Sequence, residues 1–199
     1  MKDIYIYGAS GHGLVVSDIA KACGYENIIF VDDGENDNLT FENIKENKHI
    51  PIALGIGNNN IRAKLFKKVK DNGFEIVTLI HPSSVISSSA IIGKGTVIMP
   101  NIVVNANAII GEGVILNTNC VIEHECKIEN FVHISPNVAL AGNVIVGEYT
   151  HIGIGSNVIQ GIIMGKNTII GAGSIVVKNI GNFKKAYGTP CKEIKDLNE

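Results

Sequence analysis

The chain has no tryptophan and a single arginine, Arg62, among its 199 residues. With a formal net charge of −2 it lacks the basic surface that follows a phosphate backbone, so we expect no nucleic-acid partner. Its apolar runs are too short to span a bilayer and its N-terminus lacks the charged-then-apolar order of a signal peptide, so we expect no membrane insertion. The four cysteines show no CxxC or framework spacing, which predicts free thiols and a cytoplasmic location.

Charge is scarce between residues 80 and 175, where only eight of 96 residues are Asp, Glu, Lys or Arg. Instead, an aliphatic residue or Met recurs at every sixth position from 80 to 170, and a small or β-branched residue follows each one four positions later. This period is too long for a plain strand and too short for a helical repeat. It indicates a parallel β-helix with one short strand and one corner per hexad. Sixteen hexads, at three per triangular coil, predict about five coils.

Residues 1–79 follow a different pattern, in which short apolar strands alternate with helices. Such alternation predicts a small parallel α/β domain, comparable to half of a Rossmann fold. The predicted strands are residues 4–7, 28–31, 52–56 and 74–79, and the polar stretch 34–49 is predicted to be a surface loop. We therefore expect an α/β domain over 1–79, a β-helix over 80–175 and a C-terminal cap over 176–199. The first and last of these are expected to cover the two ends of the β-helix.

Three loops of the α/β domain are predicted to meet at one edge of its sheet. The first strand ends in Gly-Ala-Ser-Gly-His-Gly at residues 8–13, the second in Asp32 and Asp33, and the third in Gly57. Glycines let backbone N–H groups approach a phosphate, and the following helix N-terminus favours negative charge. The edge is therefore a candidate nucleotide site, and the small domain favours half a dinucleotide, such as a UDP-sugar. The alternative is a glycine turn that serves packing alone.

One hexad departs from the uncharged repeat by placing His124 between Glu123 and Glu125. At a corner, Glu125 can turn back onto the imidazole, which would raise its basicity and fix its tautomer as a general base requires. His133 and His151 are eighteen residues apart and should stack on adjacent coils. Two interpretations stay open: His124 is a base and His133 contacts a ligand, or His124, His133 and His151 bind a metal. Metal ligands must converge, whereas His124 is expected on another face of the same chain.

Several motifs together resemble the bacterial sugar O/N-acetyltransferases of the sialic-acid acetyltransferase family. They are the loop 8–13, Leu116-Asn117-Thr118 and Val121-Ile122-Glu123-His124-Glu125 within the hexads, and Gly188-Thr189-Pro190-Cys191-Lys192. The resemblance covers essentially the whole chain. It implies a left-handed β-helix, a homotrimer with active sites between neighbouring β-helices, and acetyl-CoA as cosubstrate without a metal. It also implies acetylation of the 4-amino group of a UDP-4-amino-4,6-dideoxy-N-acetyl sugar. The alternatives are O-acetylation of a sialic acid and a non-enzymatic trimeric scaffold.

The resemblance also implies roles for individual residues. His124 matches the general base, and Glu125 matches the acid that raises its basicity. The residues matching acetyl-CoA contacts are His133, Ile154 and Ala172, the last of which stands where the family has Gly. The residues matching UDP-sugar contacts are Ser10, Gly11, His12, Asp32, Asp33 and Gly57. The stretch 34–49 departs from the family pattern, so the sugar specificity is less well defined there.

Overall fold

The N-terminal part of the chain forms a three-stranded parallel sheet with the order β2-β1-β3. This computed structural model describes residues 2–197. The strands are β1 (Asp3–Tyr7), β2 (Asn27–Val31) and β3 (Ile52–Leu54), and the helices are α1 (Gly11–Ala22), α2 (Phe41–Ile44) and α3 (Asn59–Asp71). Over residues 2–197, no helix has the length and hydropathy of a membrane-crossing segment.

Residues 74–79 do not form the predicted fourth strand of this sheet. Ile76 makes a single bridge with Ile52, and Leu79 already pairs with Val97 in the next sheet. The prediction is wrong because these residues lead the chain from β3 into the first coil of the β-helix. Apolar content alone does not distinguish a strand from such a connection.

The polar stretch 34–49 is not only a surface loop, since it contains α2. Thr40 precedes this helix, and Thr40 and Asn43 exchange the hydrogen bonds of a capping box. Phe41 and Ile44 are 1% and 0% exposed, and the Phe41 ring stacks on Tyr7 with 5.6 Å between centroids. Two apolar residues in a polar segment are too few to show a periodic pattern, so the sequence did not predict this contact with the core.

From Leu79 to Val176 the chain winds into a parallel β-helix of seventeen two-residue strands. The strands are β4 (Leu79–Ile80), β5 (Val85–Ile86), β6 (Ile91–Ile92), β7 (Val97–Ile98), β8 (Val103–Val104), β9 (Ile109–Ile110), β10 (Ile115–Leu116), β11 (Val121–Ile122), β12 (Lys127–Ile128), β13 (His133–Ile134), β14 (Ala139–Leu140), β15 (Ile145–Val146), β16 (His151–Ile152), β17 (Asn157–Val158), β18 (Ile163–Met164), β19 (Ile169–Ile170) and β20 (Ile175–Val176).

These strands form the three faces of a triangular solenoid. The docking face contains β4, β7, β10, β13, β16 and β19; the second face contains β5, β8, β11, β14, β17 and β20; the third face contains β6, β9, β12, β15 and β18. Strands eighteen residues apart pair in parallel, as the hexad period predicted. Its seventeen strands, at three per coil, make nearly six coils, and the one strand beyond the sixteen counted hexads is β20 at the C-terminal end.

The interior of the solenoid is filled by the two residues of each hexad that the sequence pattern singled out. The second residue of each strand points inward, and Leu116 and Ile134 on adjacent coils are each 0% exposed. The residue four positions later also faces inward, as Cys120 and Val138 show with 0% exposure. Stacking continues from coil to coil and removes apolar area from water at roughly 25 cal/mol per Å².

The α/β domain packs against the docking face rather than over the end of the solenoid. The outward residues Val97 and Ile115 of this face are 1% and 0% exposed and share a core with Ile6 and Ile19. By contrast, the inward residue Ile80 of the first coil remains 37% exposed. The expectation that this domain caps the end is therefore wrong, because the domain covers the apolar outer positions of the docking face instead.

The last coil is covered by a hairpin of β21 (Lys184–Gly188) and β22 (Cys191–Asp196). β21 continues the docking face by pairing in parallel with β19. Ala186 and Cys191 from the two strands are 0% and 6% exposed within the solenoid core. The inward aliphatic ladder is thus closed at this end by the chain itself.

Candidate active site

His124 lies at the corner where the chain passes from β11 on the second face to β12 on the third. Its Nδ1 is 3.1 Å from Glu125 Oε2, and the two side chains are 58% and 61% exposed. If Nδ1 carries the proton and donates it to the carboxylate, Nε2 keeps its lone pair and can accept a proton. The arrangement is therefore competent for general-base chemistry at an open corner.

Gly142 lies one coil further on in the same corner and leaves space for the His124 ring. A Cβ at Gly142 would be 2.5 Å from Cε1 and 2.6 Å from Nε2 of His124. The imidazole thus rests directly on backbone, and any larger residue at this position would displace it. Sequence reasoning missed Gly142, although its spacing of eighteen residues from His124 was an available signal.

Glu125 has a left-handed backbone conformation, which is uncommon for residues other than Gly, Asn, Asp and His. Its φ is +60°, and it holds the corner position at which the β-helix turns in a left-handed conformation. At that position in other hexads, most residues with positive φ are Asn or Gly: Gly95, Asn101, Asn107, Gly113, Asn119, Asn137, Asn143, Gly155, Gly161, Asn167 and Gly173. The exceptions Phe131 and Tyr149 stack on each other with centroids 5.5 Å apart. Glu125 instead contacts His124, which favours a functional over a structural reason for a glutamate at this position.

Ile154 and Ala172 lie on adjacent coils at the corner between the docking face and the second face. Both are exposed, and the N–H of Gly173 donates to the Ile154 carbonyl at 2.8 Å. A groove of about 430 Å³ runs along the second face between this corner and that of His124. It is lined by Val121, Glu123, Ala139, Leu140, Ala141, Asn157, Val158, Ile159, Gln160 and Ile175. Glu123 and Ala141, the neighbours of His124 and Gly142 in sequence, are among these lining residues, whereas Ile154 and Ala172 are not.

His133 is on the other side of the solenoid, at the start of β13 on the docking face. Its ring stacks on that of His151 with centroids 4.6 Å apart and 1° between planes, and it lies 6.2 Å from the ring of His12. Within one chain, the structure brings His133 to the α/β domain and not to His124 or Ile154.

The stacked histidines also bear on metal binding. His133 Nε2 lies 3.2 Å from Asn117 Nδ2, and His151 Nε2 lies 2.8 Å from Ser135 Oγ. Parallel rings with separate partners do not aim their nitrogens at one point, and His124 is at a different corner. Over residues 2–197, no group of three or more His, Cys, Asp or Glu side chains is arranged to hold a metal ion. The metal interpretation finds no support within one chain.

The histidines between the α/β domain and the solenoid are held neutral. Burial, reinforced by the positive charge of Arg62, lowers the pKa of His12 to about 4. Burial, followed by the neighbouring His151 and Arg62, lowers the pKa of His133 to about 3. The pKa of His151 is lowered by burial and by Arg62. His12 Nε2 is buried and has no hydrogen-bond partner among the described residues.

The loop between β1 and α1 combines packed and open glycines. A Cβ at Gly13 would be 1.9 Å from the carbonyl oxygen of Gly8, so packing alone requires this glycine. A Cβ at Gly11 would meet nothing within 4 Å, so packing does not explain the absence of a side chain there. Ser10 is the N-cap residue of α1, and its side chain makes no capping hydrogen bond. Ser10 and Gly11 thus leave backbone N–H groups of the first turn accessible to a ligand.

Asp32 joins the first loop to the second at this edge. Its carboxylate accepts hydrogen bonds from the N–H groups of Ala9 and Gly34, each at 2.9 Å. These two bonds, of which the one from Ala9 has the larger effect, hold the pKa of Asp32 below its ordinary value. Asp32 is therefore ionised at neutral pH and orders the glycine loop in addition to any ligand contact.

Asp33 is part of a network with Tyr7 and Lys68. Its carboxylate accepts hydrogen bonds from the Tyr7 hydroxyl, from Lys68 Nζ at 2.8 Å and from the Phe41 N–H at 2.8 Å. Burial opposes ionisation, but these bonds outweigh it and hold the pKa of Asp33 below its ordinary value. The network borders a cleft of about 220 Å³ lined by Tyr7, Gly8, Asp32, Asp33, Gly34, Ile56, Ile61 and Leu65. Tyr7 and Lys68 were not predicted as site residues, because no local pattern marks either of them.

Gly57 completes the edge beyond β3. Its Cα lies beneath the His12 ring, so that a Cβ there would be 3.9 Å from His12 Cγ. Its carbonyl accepts a hydrogen bond from Arg62 Nη1 at 3.0 Å. The structure thus brings all six predicted UDP-sugar residues to the carboxyl edge of one sheet, with His133 close to His12.

Two family descriptions match this chain, and they follow its two structural parts. "PglD N-terminal domain" matches residues 3–69, and "Bacterial transferase hexapeptide (six repeats)" matches residues 89–124. Together they define a hexapeptide-repeat transferase that carries an N-terminal domain of the PglD type.

Two solved structures are similar over almost the whole chain. One is a histidine-to-alanine variant of GDP-perosamine N-acetyltransferase from Caulobacter crescentus in complex with CoA and GDP-perosamine (34% identity, TM-score 0.93, 98% of this chain and 97% of that chain). The other is the acetyltransferase domain of PglB from Neisseria gonorrhoeae (36% identity, TM-score 0.91, 98% of this chain and 100% of that chain). The PglB domain has also been solved with acetyl coenzyme A.

A curated relative is UDP-N-acetylbacillosamine N-acetyltransferase from Bacillus subtilis, which is 37% identical over 112 residues. That match covers 49% of this chain and 51% of the relative, so the chain spans about half the length of the curated relative it matches. This chain belongs to the family of left-handed β-helix sugar N-acetyltransferases with a PglD-type N-terminal domain. The expected fold class and the family resemblance are therefore confirmed.

Proposed function

We propose that this chain is an acetyl-CoA-dependent N-acetyltransferase that acetylates the 4-amino group of a UDP-4-amino-4,6-dideoxy-N-acetyl sugar. The observation that carries the proposal is the contact of His124 with Glu125 at a solenoid corner, directly after Glu123, which lines the groove along the second face. Two of the similar proteins are N-acetyltransferases of UDP-N-acetylbacillosamine and GDP-perosamine, and the perosamine enzyme and the PglB domain were solved with CoA and acetyl-CoA respectively.

The proposed reaction is a direct transfer. His124 Nε2 takes a proton from the amine as the amine nitrogen attacks the thioester carbonyl carbon, and the new C–N bond forms. The C–S bond then breaks, and the CoA sulfur takes the proton back from the imidazolium, which Glu125 stabilises. A positioned base of this kind contributes roughly 10²–10⁴-fold to the rate. A hydrogen-bond donor to the developing oxyanion contributes roughly 3 kcal/mol more.

A covalent acyl-enzyme on cysteine is not part of this mechanism. Cys120 and Cys126 are 0% and 1% exposed, and burial raises the pKa of both thiols. A buried thiol with a raised pKa supplies little thiolate to act as a nucleophile. Positioning of the two substrates and one base is sufficient for acyl transfer from a thioester.

The nucleotide sugar is proposed to bind at the carboxyl edge of the α/β sheet. Ser10, Gly11 and His12 would hold the diphosphate at the N-terminus of α1, and Asp32, Asp33 and Gly57 would border the nucleoside. Unused space at Gly11 and the cleft beside Asp33 support this placement. Residues 1–79 would thus be the sugar-binding domain, 80–175 the acetyltransferase domain and 176–199 a cap near coenzyme A.

We further propose that the enzyme acts as a homotrimer in the cytoplasm. Solenoid faces away from the α/β domain expose apolar side chains, including Val85 at 66%, Ile91 at 62% and Ile163 at 48%. A second copy would also be needed for His133 to contact acetyl-CoA held beside His124, because these residues lie on different sides of one solenoid.

The test is release of the CoA thiol from acetyl-CoA with three acceptors offered in parallel: the UDP-4-amino sugar, GDP-perosamine and a sialic acid. We expect release with the UDP-amino sugar and little with the others. Release with GDP-perosamine alone would contradict the nucleotide assignment, and release with sialic acid alone would indicate O-acetylation. A chain that binds acetyl-CoA without release from any acceptor would contradict the transferase proposal and support a scaffold.

A further inference from the structure

Arg62, the only arginine of the chain, is buried between the α/β domain and the solenoid. It is 1% exposed although it lies on α3, a helix with a largely polar outer surface. Burial lowers the pKa of its guanidinium to about 9, which leaves it positively charged at neutral pH. Arg62 forms no ion pair with any carboxylate among residues 2–197, so no nearby anion balances its positive charge.

The guanidinium is satisfied by oxygen atoms from both parts of the molecule. From the solenoid, Nε donates to the Gly113 carbonyl at 2.6 Å, and Nη2 donates to the Phe131 carbonyl at 2.9 Å. From the α/β domain, Nη1 donates to the carbonyls of Ile56 at 3.1 Å and Gly57 at 3.0 Å. Arg62 therefore connects the loop after β3 directly to the same corner of the solenoid on two adjacent coils.

The Ile56–Gly57 loop, which accepts hydrogen bonds from Arg62, lies next to His12. A Cβ at Gly57 would lie 3.9 Å from Cγ of His12, so the two residues are neighbours, and His12 follows the open glycine of the first loop. Asn59, at the start of α3, adds a parallel link, since its Nδ2 donates to the Tyr149 carbonyl at 2.8 Å and its Oδ1 accepts from Arg62 Nη2 at 2.9 Å. A shift of Arg62 would consequently move the nucleotide edge relative to the solenoid.

We propose that Arg62 is a positioning residue that fixes the Ile56–Gly57 loop of the nucleotide site against the solenoid corners at Gly113 and Phe131. The inference rests on the proposed function in one respect, namely that this edge binds the nucleotide. It predicts that Arg62 affects nucleotide binding without contacting the nucleotide.

Lysine cannot replace arginine in this role. Arg62 uses a planar fork of donors to reach carbonyls on opposite sides, whereas lysine keeps the charge but concentrates three donors at one point. Arg62→Lys therefore separates positioning from charge. If charge alone mattered, this variant would behave as the wild type.

The experiment compares Arg62→Lys with Phe66→Leu as a matched control. Phe66 lies on the same helix, is 4% exposed and packs edge-to-face on Phe131 with centroids 5.4 Å apart, but no hydrogen bond links it to the Ile56–Gly57 loop. Both variants should weaken docking of α3 and lower the melting temperature. Only Arg62→Lys should weaken UDP binding in calorimetry, by about tenfold, since hydrogen bonds to the loop are lost. It should raise KM for the nucleotide sugar and leave KM for acetyl-CoA unchanged.

Hydrogen exchange of residues 55–60 provides a readout that needs no ligand. Exchange should be faster in Arg62→Lys than in Phe66→Leu. UDP affinity in Arg62→Lys equal to that of the wild type, or an equal loss in both variants, would overturn the inference. If the wild type binds no UDP, the proposed nucleotide site fails, and the exchange data still decide whether Arg62 positions the loop: equal exchange in the two variants would overturn that role.

Discussion

The solenoid and the α/β domain hold their candidate functional residues in different ways. In the solenoid, His124 and Glu125 occupy corner positions that recur in every hexad, and their partner Gly142 is supplied by the adjacent coil. In the α/β domain, Asp33 depends on Tyr7 and Lys68, which lie 26 and 35 residues away in sequence. The repeat supplies geometry by stacking, whereas the domain assembles it from long-range contacts.

This difference determines what a departure from the local pattern means. At solenoid corners, Asn or Gly is the regular choice, so a Glu with positive φ stands out against its structural equivalents. The α/β domain offers no such internal reference, and a buried Arg62 or a paired Lys68 looks in sequence like any other basic residue of a helix. Substitutions in the two parts should therefore change kcat, KM and stability in different combinations.

Apart from removal of His124 itself, the largest effect is expected for Gly142→Ala. The added methyl group would displace the His124 ring, because it would lie 2.5 Å from Cε1. Misplacement of a catalytic group by about 1 Å costs roughly 100-fold in rate, so kcat should fall by that order while KM for the nucleotide sugar stays constant. The control is the same change in a His124→Ala background, where it should have no further effect. A full additional loss there would contradict the role of Gly142.

A second effect concerns the boundary between the two parts and is seen as a function of pH. His12 and His133 have pKa values of about 4 and about 3, below the ordinary value of about 6.5. Between pH 6.5 and pH 4 the unfolded chain binds more protons than the folded chain. The stability that the neutral histidines contribute is therefore present above pH 6.5 and is lost as the pH falls toward 4. The free energy of unfolding in urea should drop by about 1–2 kcal/mol for each histidine between pH 7 and pH 5. His133→Asn should show a shallower dependence, and an unchanged slope would contradict this assignment.

A third prediction separates stability from activity at one corner. Glu125→Asn replaces a strained residue with the one most common at this position, so the free energy of unfolding should rise by about 1 kcal/mol. Activity should fall roughly tenfold because the carboxylate no longer orients His124. The contrasting variant is Phe131→Asn, which relieves the same backbone strain but loses stacking on Tyr149 and should be destabilised. Stabilisation of both variants, or full activity of Glu125→Asn, would contradict this account.

The smallest effect is expected in the α/β domain. Lys68→Met removes the cation that holds Asp33, so KM for the nucleotide sugar should rise roughly 3- to 10-fold while kcat changes little. Lys67→Met is the matched control, since Lys67 lies on the same helix and pairs only with exposed Asp71. Equal changes in both variants would indicate a general loss of surface charge rather than a specific role for Lys68.

The solenoid could be predicted from sequence because its determinants are local and repeated. A residue such as Leu116 predicts its own burial through its place in the period, and the stacking of His133 on His151 follows from their spacing. The hexad count is one strand short, because Val176 of β20 extends the inward ladder past the sixteenth hexad. The His124 corner was found because it breaks the repeat.

The rest could not be predicted, since it depends on contacts between distant segments. The segment 74–79 has the composition of a strand but serves as the entry to the first coil. Phe41 becomes a core residue only because Tyr7 presents a ring to it. The donors of Arg62 find carbonyls 51 and 69 residues away, for which no local pattern exists. Domain boundaries and residue roles in the site stay predictions.

The most direct test of the account is turnover of the UDP-4-amino sugar at saturating acetyl-CoA by wild type and by His124→Ala, followed as CoA-thiol release. If His124 is the base, kcat should fall by about two orders of magnitude or more in the variant, while the oligomer and the melting temperature are retained. Near-normal turnover by His124→Ala would contradict the assignment of His124 as the base and, with it, the reading of the His124–Glu125 corner as the catalytic centre.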